Sequence, residues 1–185
     1  ETLPRVLGQP IEIIRAEYDL PPALLAIALD LEAELGQSPS PMIRAILHKS
    51  MFSSKKRRYC TQELKVFPMQ RYLSALEDEA VNAVGVRAEE SQSRSIMPPW
   101  EWSEGYDCEV WRPILKWSID QVVAIHHRHG IPPNPLYTKG ASRGGCFPCV
   151  FARKAELLMN NEIAPERIAL IEKLETAQSE VAVLR

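Results

Sequence analysis

Ala80-Val81-Asn82-Ala83-Val84-Gly85-Val86-Arg87 is a short apolar run closed by a charge. Such a run fits a strand buried on both faces, as parallel sheets require, and it leaves Arg87 at the strand's carboxyl end. On its amino-terminal side, Leu64, Phe67, Met69, Tyr72, Leu73 and Leu76 repeat at helical spacing, with Pro68 forcing a kink or a restart. On its carboxyl side, residues 95–107 hold two prolines, two tryptophans and no periodicity, and read as a long connection. Cys108-Glu109-Val110-Trp111-Arg112-Pro113-Ile114 then resumes extended character. Ser118-Ile119-Asp120-Gln121 has the S-x-x-Q capping pattern, and Ile119, Val122, Val123, Ile125 and His126 continue a helix that stops at Gly130. Strands alternating with helices specify the α/β class with a parallel sheet.

The flanks extend this pattern. Ile11 to Tyr18 is short and β-branched and reads as a strand ended by Pro21-Pro22. From Pro22 the spacing of Leu24, Leu25, Ile27, Ala28, Leu31 and Leu35 predicts an amphipathic helix stopped by Gly36. A proline-broken loop over 37–41 and a shorter helix from Met42 to His48 follow. The carboxyl end reads as two helices, Phe151 to Met159 and Pro165 to about Val181, the second opened by a first-turn proline. The expected organisation is an α/β domain over 1–155 and a helical carboxyl-terminal extension over 156–185.

Composition narrows the function classes. With 185 residues, 45% hydrophobic and 25% charged, the chain is long enough for one cored domain, two at most, and is not disordered. The richest apolar run, Pro21 to Leu29, is closed by Asp30, so no membrane span and no membrane partner are expected. A net charge of −2 argues against general adhesion to nucleic acid or anionic lipid, so a polyanion must be met locally. Four cysteines are too few for a disulfide scaffold and suggest a reducing, cytoplasmic setting. The first residue is Glu1, with no targeting segment ahead of the globular sequence, and the chain reads as a fragment.

Several groups could carry chemistry. Cys146-Phe147-Pro148-Cys149 places two thiols three positions apart on a turn, suited to a shared metal ion, one face of a cluster, a redox dithiol, or two inert buried thiols. Cys60 and Cys108 are the further sulfurs that convergence could add, although Cys108 alone also reads as a small buried hydrophobe. Arg87-Ala88-Glu89-Glu90-Ser91-x-x-Arg94 puts two guanidinium groups at the sheet's carboxyl edge, where doubly wound folds bind ligands. Their forks suit phosphate and sulfate oxygens; the plain alternative is a turn salt-bridged to Glu89 and Glu90. Lys65 and Arg143 would add charge if the loops converge, and four cations around one pocket would suit a nucleotide with several phosphates. Lys55-Lys56-Arg57-Arg58 is the densest positive charge, either a solvated run or a phosphate contact. His126-His127-x-His129 offers only His126 and His129 on one helix face, and histidines in a last turn are already favoured by the helix dipole.

In order, Arg57-x-x-Cys60-Thr61-x-x-Leu64-Lys65-x-x-Pro68, Val84-Gly85-Val86-Arg87-x-x-Glu90-Ser91-x-x-Arg94, Trp111-Arg112-Pro113-Ile114-x-x-Trp117-Ser118-x-x-Gln121-Val122, Asn134-Pro135-Leu136-Tyr137-x-x-Gly140 and Gly145-Cys146-x-x-Cys149 resemble the phosphoadenosine phosphosulfate (PAPS) reductase family. The resemblance covers most of residues 1–155. It implies the adenine nucleotide α-hydrolase-like superfamily, a Rossmann-like sheet with flanking helices, and an adenine nucleotide (ATP, adenylylsulfate or PAPS) at the sheet's carboxyl edge. The family's S-G-G-x-D-S phosphate loop is absent, so either the chain is a truncated piece whose nucleotide loop lies outside it, the favoured expectation, or the nucleotide function has been lost. Adenylylsulfate reductases hold a four-iron, four-sulfur cluster with a Cys-Cys pair and a C-x-x-C; here Cys60 resembles the first of the pair and Thr61 replaces the second. The implied metal ligands are Cys60, Cys146, Cys149 and, to complete the set, Cys108 or a ligand from outside the chain, around an iron-sulfur cluster or zinc. The reductases also use a cysteine near the carboxyl terminus as nucleophile, and no cysteine follows Cys149.

The resulting expectation is an oxidoreductase-like, sulfur-metabolism protein acting in reduction of a sulfonucleotide or in ATP-dependent adenylation before sulfur transfer, with a redox or sulfur-carrier protein as partner. The missing tail cysteine tilts this toward adenylation, and no catalytic residue is assigned. The rival is a non-catalytic binding module of a nucleic-acid-modifying or defence complex, contacting phosphates through Lys55 to Arg58. A zinc-stapled structural domain is the third reading.

Overall fold

Prolines in first turns and left-handed residues at last turns delimit the first helices. Helix α1 (Pro22–Leu35) ends on Gly36 at φ 68°, a conformation a side chain would strain, and α2 (Pro41–Lys49) ends on Ser50 at φ 50°. A turn of α-helix (Tyr59–Thr61) runs into a π-helical stretch (Gln62–Val66) and then α3 (Phe67–Ser74). Pro68 explains the π-helical insert: a proline clashes with the carbonyl four residues back and offers it no N–H, and a widened turn ahead of the ring relieves both. Strand β1 (Val81–Ala83) leads into a 3₁₀ turn (Ala88–Glu90) and the short α4 (Gln92–Ser95). Strands β2 (Trp100–Ser103) and β3 (Cys108–Trp111) precede α5 (Ile119–Arg128), and α6 (Lys154–Ile163) and α7 (Pro165–Val183) close the chain.

The computed structural model describes residues 8, 10–134, 136, 139 and 146–183. The chain divides into two units, one of residues 1–14 and 69–144 and one of residues 15–68 and 145–185. Among the described residues no helix is long and apolar enough to cross a membrane.

The second unit is helical. Ala28 and Leu31 of α1, Ile43, Ile46 and Leu47 of α2, and Leu170, Leu174 and Val181 of α7 form its core. Gln178 donates to the Ser50 carbonyl at 2.7 Å and Lys173 pairs with Glu34 at 2.7 Å, fixing α7 against the other two. Glu32 of α1 is wholly buried in this unit. Its carboxylate accepts from Arg44 Nε at 2.8 Å, Arg44 NH2 at 3.1 Å, Ser38 Oγ at 2.6 Å and the Ser40 amide at 2.9 Å. Burial pushes its pKa up, but the hydrogen bonds from Arg44, Ser38 and the Ser40 amide outweigh burial and bring it from 4.5 down to about 2.

The first unit carries a mixed sheet of order β1-β3-β2, with β1 parallel to β3 and β2 antiparallel to it. The α/β expectation and the parallel pairing at Val81–Ala83 hold, with three differences. The stretch read as a structureless connection contains β2, because a hairpin partner beyond a four-residue turn supplies a ladder that periodicity alone does not announce. The strand expected to be buried shows one buried residue, Asn82, between exposed Val81 and Ala83. Ile11 to Tyr18 forms no strand; Ile11 and Ile13 are exposed, and no strand among the described residues pairs with the segment.

Helix boundaries agree with the capping chemistry. Ser118 Oγ accepts from the Gln121 amide at 3.2 Å while Gln121 Oε1 accepts from the Ser118 amide at 2.8 Å, the reciprocal pair expected from sequence. Ser118→Ala should lower thermal stability by about 1 kcal/mol, readable as a shifted far-UV melting curve. At the last helices, Glu156 accepts from the Arg153 amide at 2.9 Å, which starts α6 at Lys154, three residues later than Phe151.

Candidate functional site

At the carboxyl end of β1 the chain turns through Arg87 into the 3₁₀ turn, anchored by the Ala88 amide on the Leu115 carbonyl at 2.8 Å. The Arg87 side chain is only 8% exposed and meets Glu89 at 2.9 Å and Glu90 at 3.8 Å. Glu90 also pairs with Arg94 NH1, so one carboxylate joins both guanidinium groups. Ser91 Oγ caps α4 by accepting from the Arg94 amide at 3.3 Å, which fixes where Arg94 leaves the backbone. Arg94 keeps 40% of its side chain exposed. The turn thus carries two guanidinium groups, each ion-paired to a carboxylate of the same turn.

Arg112, quoted in the family motif but given no role from sequence, is a buried clamp beside this turn. Its amide donates to the Pro99 carbonyl and its NH1 to the Pro98 carbonyl, both at 2.8 Å, while NH2 pairs with Glu101. The Val84 amide bonds the Trp111 carbonyl at 2.8 Å, extending the β1–β3 ladder toward Arg87. Nothing in the local spacing marked Arg112, because its partners lie in β2 and the two prolines just before it.

Cys60, Cys146 and Cys149 all belong to the helical unit, and Cys108 is buried in β3 of the other. Arg58 lies over the Phe151 ring at 4.8 Å, bringing the chain just before Cys60 against the chain just after Cys149. Arg167 of α7 stacks on Phe147 at 5.4 Å and donates to the Phe147 carbonyl at 2.9 Å, which holds the C-x-x-C turn from its other side. Cys149 Sγ accepts from the Phe151 amide at 3.4 Å. Tyr59, between Arg58 and Cys60, donates its hydroxyl to the Met51 carbonyl at 2.7 Å, and burial, with Cys60 and Glu63 nearby, raises its pKa.

The thiol set expected for a metal is therefore only partly assembled. Three sulfurs share one unit, yet among the described residues no three Cys, His, Asp or Glu side chains gather closely enough to hold a metal ion. A tetrahedral site or a four-thiolate cluster demands that gathering. The histidines do not supply it: His126 Nδ1 bonds the Val122 carbonyl at 2.8 Å within its own helix. Thiol alkylation followed by peptide mass spectrometry should label exposed Cys146 first, half-buried Cys60 and Cys149 next, and buried Cys108 last. Joint protection of Cys60, Cys146 and Cys149 would instead reveal a bound metal.

Lys65 is exposed in the π-helical stretch of the helical unit, and Arg143 lies outside the described residues. Its neighbour Glu63 accepts from Tyr18 at 2.7 Å and pairs with Lys49 at 2.8 Å; burial opposes its ionisation, but Lys49 and Tyr18 hold its pKa below the usual value. Lys55, Lys56, Arg57 and Arg58 are all exposed.

The phosphoadenosine phosphosulfate reductase domain model matches residues 30–152. An uncharacterized 37.8 kDa protein of Escherichia phage 186 is 42% identical over 159 residues, which is 82% of this chain and 46% of the phage protein. The adenosine 5'-phosphosulfate reductase of Allochromatium vinosum is 34% identical over 96 residues, covering 52% of this chain and 36% of that enzyme. The enzyme of the same name from Streptomyces coelicolor is 34% identical over 90 residues, covering 49% and 37% respectively. The chain spans less than half the length of each of these relatives.

Proposed function

The chain belongs to the phosphoadenosine phosphosulfate reductase domain family, and from that premise we propose that it binds the phosphosulfate or polyphosphate end of an adenine nucleotide at the turn after β1, within a protein that reduces sulfonucleotides. The observation that carries this reading is the Arg87–Glu90–Arg94 arrangement at the carboxyl end of a parallel strand. A carboxylate already spans the two forks, so an incoming oxyanion exchanges one set of charge-assisted hydrogen bonds for another. The relatives named adenosine 5'-phosphosulfate reductase support the sulfonucleotide rather than another anion. Reduction of such a substrate consumes two electrons, and two thiols passing to a disulfide release two electrons and two protons; Cys146 and Cys149 have the spacing for that step. Calorimetric titration with adenosine 5'-phosphosulfate should give saturable heat that adenosine, which lacks the anion, does not. Equal binding of the two compounds would overturn the assignment.

A second reading rests on Lys55 to Arg58. All four are exposed, Lys55 and Lys56 are in no ion pair among the described residues, and Arg58 is stacked on an aromatic ring. Such a patch suits nucleic-acid phosphates. Replacing Lys55 and Lys56 with alanine should weaken oligonucleotide binding and flatten its dependence on log salt by about one unit per contact removed. Salt-independent binding would dismiss this reading.

A further inference from the structure

Among the described residues, one face of the sheet is aromatic and exposed. Residues directly opposite in a ladder share a face, and the registers Val81↔Glu109, Ala83↔Trp111, Trp100↔Trp111 and Trp102↔Glu109 put three tryptophans around one glutamate. Trp100, Trp102 and Trp111 are 46%, 59% and 44% exposed, whereas the opposite face carries buried Asn82, Cys108 and Val110. Trp100 and Trp111 meet with ring centres 5.9 Å apart, and Trp100 Nε1 donates to Glu109 at 2.6 Å, so the rings are held in place before anything binds. A contiguous exposed patch of tryptophan is uncommon on a free surface and characteristic of interface centres.

The charge around this face is of one sign. Residues 77–86 and 100–111 contain no lysine or arginine and six carboxylates, Glu77, Asp78, Glu79, Glu104, Asp107 and Glu109, besides Glu101, whose register with Val110 puts it on the opposite face. Only Glu101 is in an ion pair among the described residues. Because β1 and β3 run parallel and β2 returns against β3, the segment entering β1 and the β2–β3 turn lie at the same end of the sheet, beside Trp102 and Glu109.

We propose that this face docks a partner peptide rich in arginine or lysine. A guanidinium group stacks on a tryptophan face and pairs with a carboxylate at its edge, and here both are offered on one surface with more negative charge along one rim. The complementarity disfavours nucleic acid, whose phosphates would meet the carboxylates. The site is separate from the cationic turn that follows β1, and its failure would leave the nucleotide assignment untouched.

The test is titration of the protein with a blocked peptide of alternating arginine and glycine, followed by tryptophan fluorescence, since three of the four tryptophans lie on this face. Saturable binding that weakens with salt is expected, reduced about tenfold by Trp102→Ala and comparably by Glu109→Gln. Trp102 is exposed and its replacement should leave the far-UV spectrum unchanged; Glu109→Gln, which preserves shape, serves as the second variant. Affinity unaltered in both variants would overturn the proposal. So would tighter binding of a single-stranded oligonucleotide at this face, or a fluorescence change on concentration alone showing that a second copy of the chain covers it.

Discussion

Glu32→Ala is expected to destabilise the helical unit by about 3–5 kcal/mol, because it strips the partner from Arg44 and leaves Ser38 and the Ser40 amide without their acceptor. The carboxylate is wholly buried and its pKa falls from 4.5 to about 2 on folding, equivalent to roughly 3 kcal/mol of stability at neutral pH. A depressed folded-state pKa means that the unfolded chain takes up the proton first as acid is added. The contribution is therefore complete above about pH 4.5 and is lost progressively toward about pH 2. Urea denaturation followed by far-UV dichroism at neutral pH and at about pH 3 measures it. The gap between wild type and Glu32→Gln should narrow in acid, and a gap that stays constant would show that ionisation is not what the site stabilises.

Arg94→Ala should weaken binding of adenosine 5'-phosphosulfate about ten- to a hundredfold, the range for losing hydrogen bonds from a charged donor. Its cost in stability should stay below about 1 kcal/mol, since the Arg94–Glu90 pair is partly exposed. Arg94→Lys keeps the charge and loses the planar fork, so an intermediate affinity separates geometry from charge. Arg87→Ala is a different experiment: that side chain is buried against Glu89 and Glu90, and its removal disturbs the turn as well as the proposed anion contact. Calorimetry on the three variants distinguishes these cases. Unchanged affinity in Arg94→Ala would remove the cationic turn from the nucleotide site.

Much of this was legible in the chain itself. Pro22, Gly36, Ser118, Gln121, Gly130 and Pro165 mark helix ends through local backbone and capping chemistry, which acts within a few residues and needs no tertiary context. The pairing of Arg87 and Arg94 with Glu89 and Glu90 was one of two readings of that turn, and the structure shows that pairing, with Glu90 between both arginines. The π-helical stretch before Pro68 was foreseen only as a kink, because the sequence states that the ladder breaks there but not how it is repaired.

Local sequence determined the α/β class, the helices and their caps, and the place of the cationic turn after a strand, since each depends on forces between residues a few positions apart. Which sulfurs share a unit, that Arg58 and Arg167 bracket the C-x-x-C turn, that Arg112 clamps a neighbouring connection, and that three tryptophans surround Glu109 were decided by the tertiary structure alone. The reason is that ladder register and long-range packing join residues far apart in the chain, and their separation leaves no periodic trace.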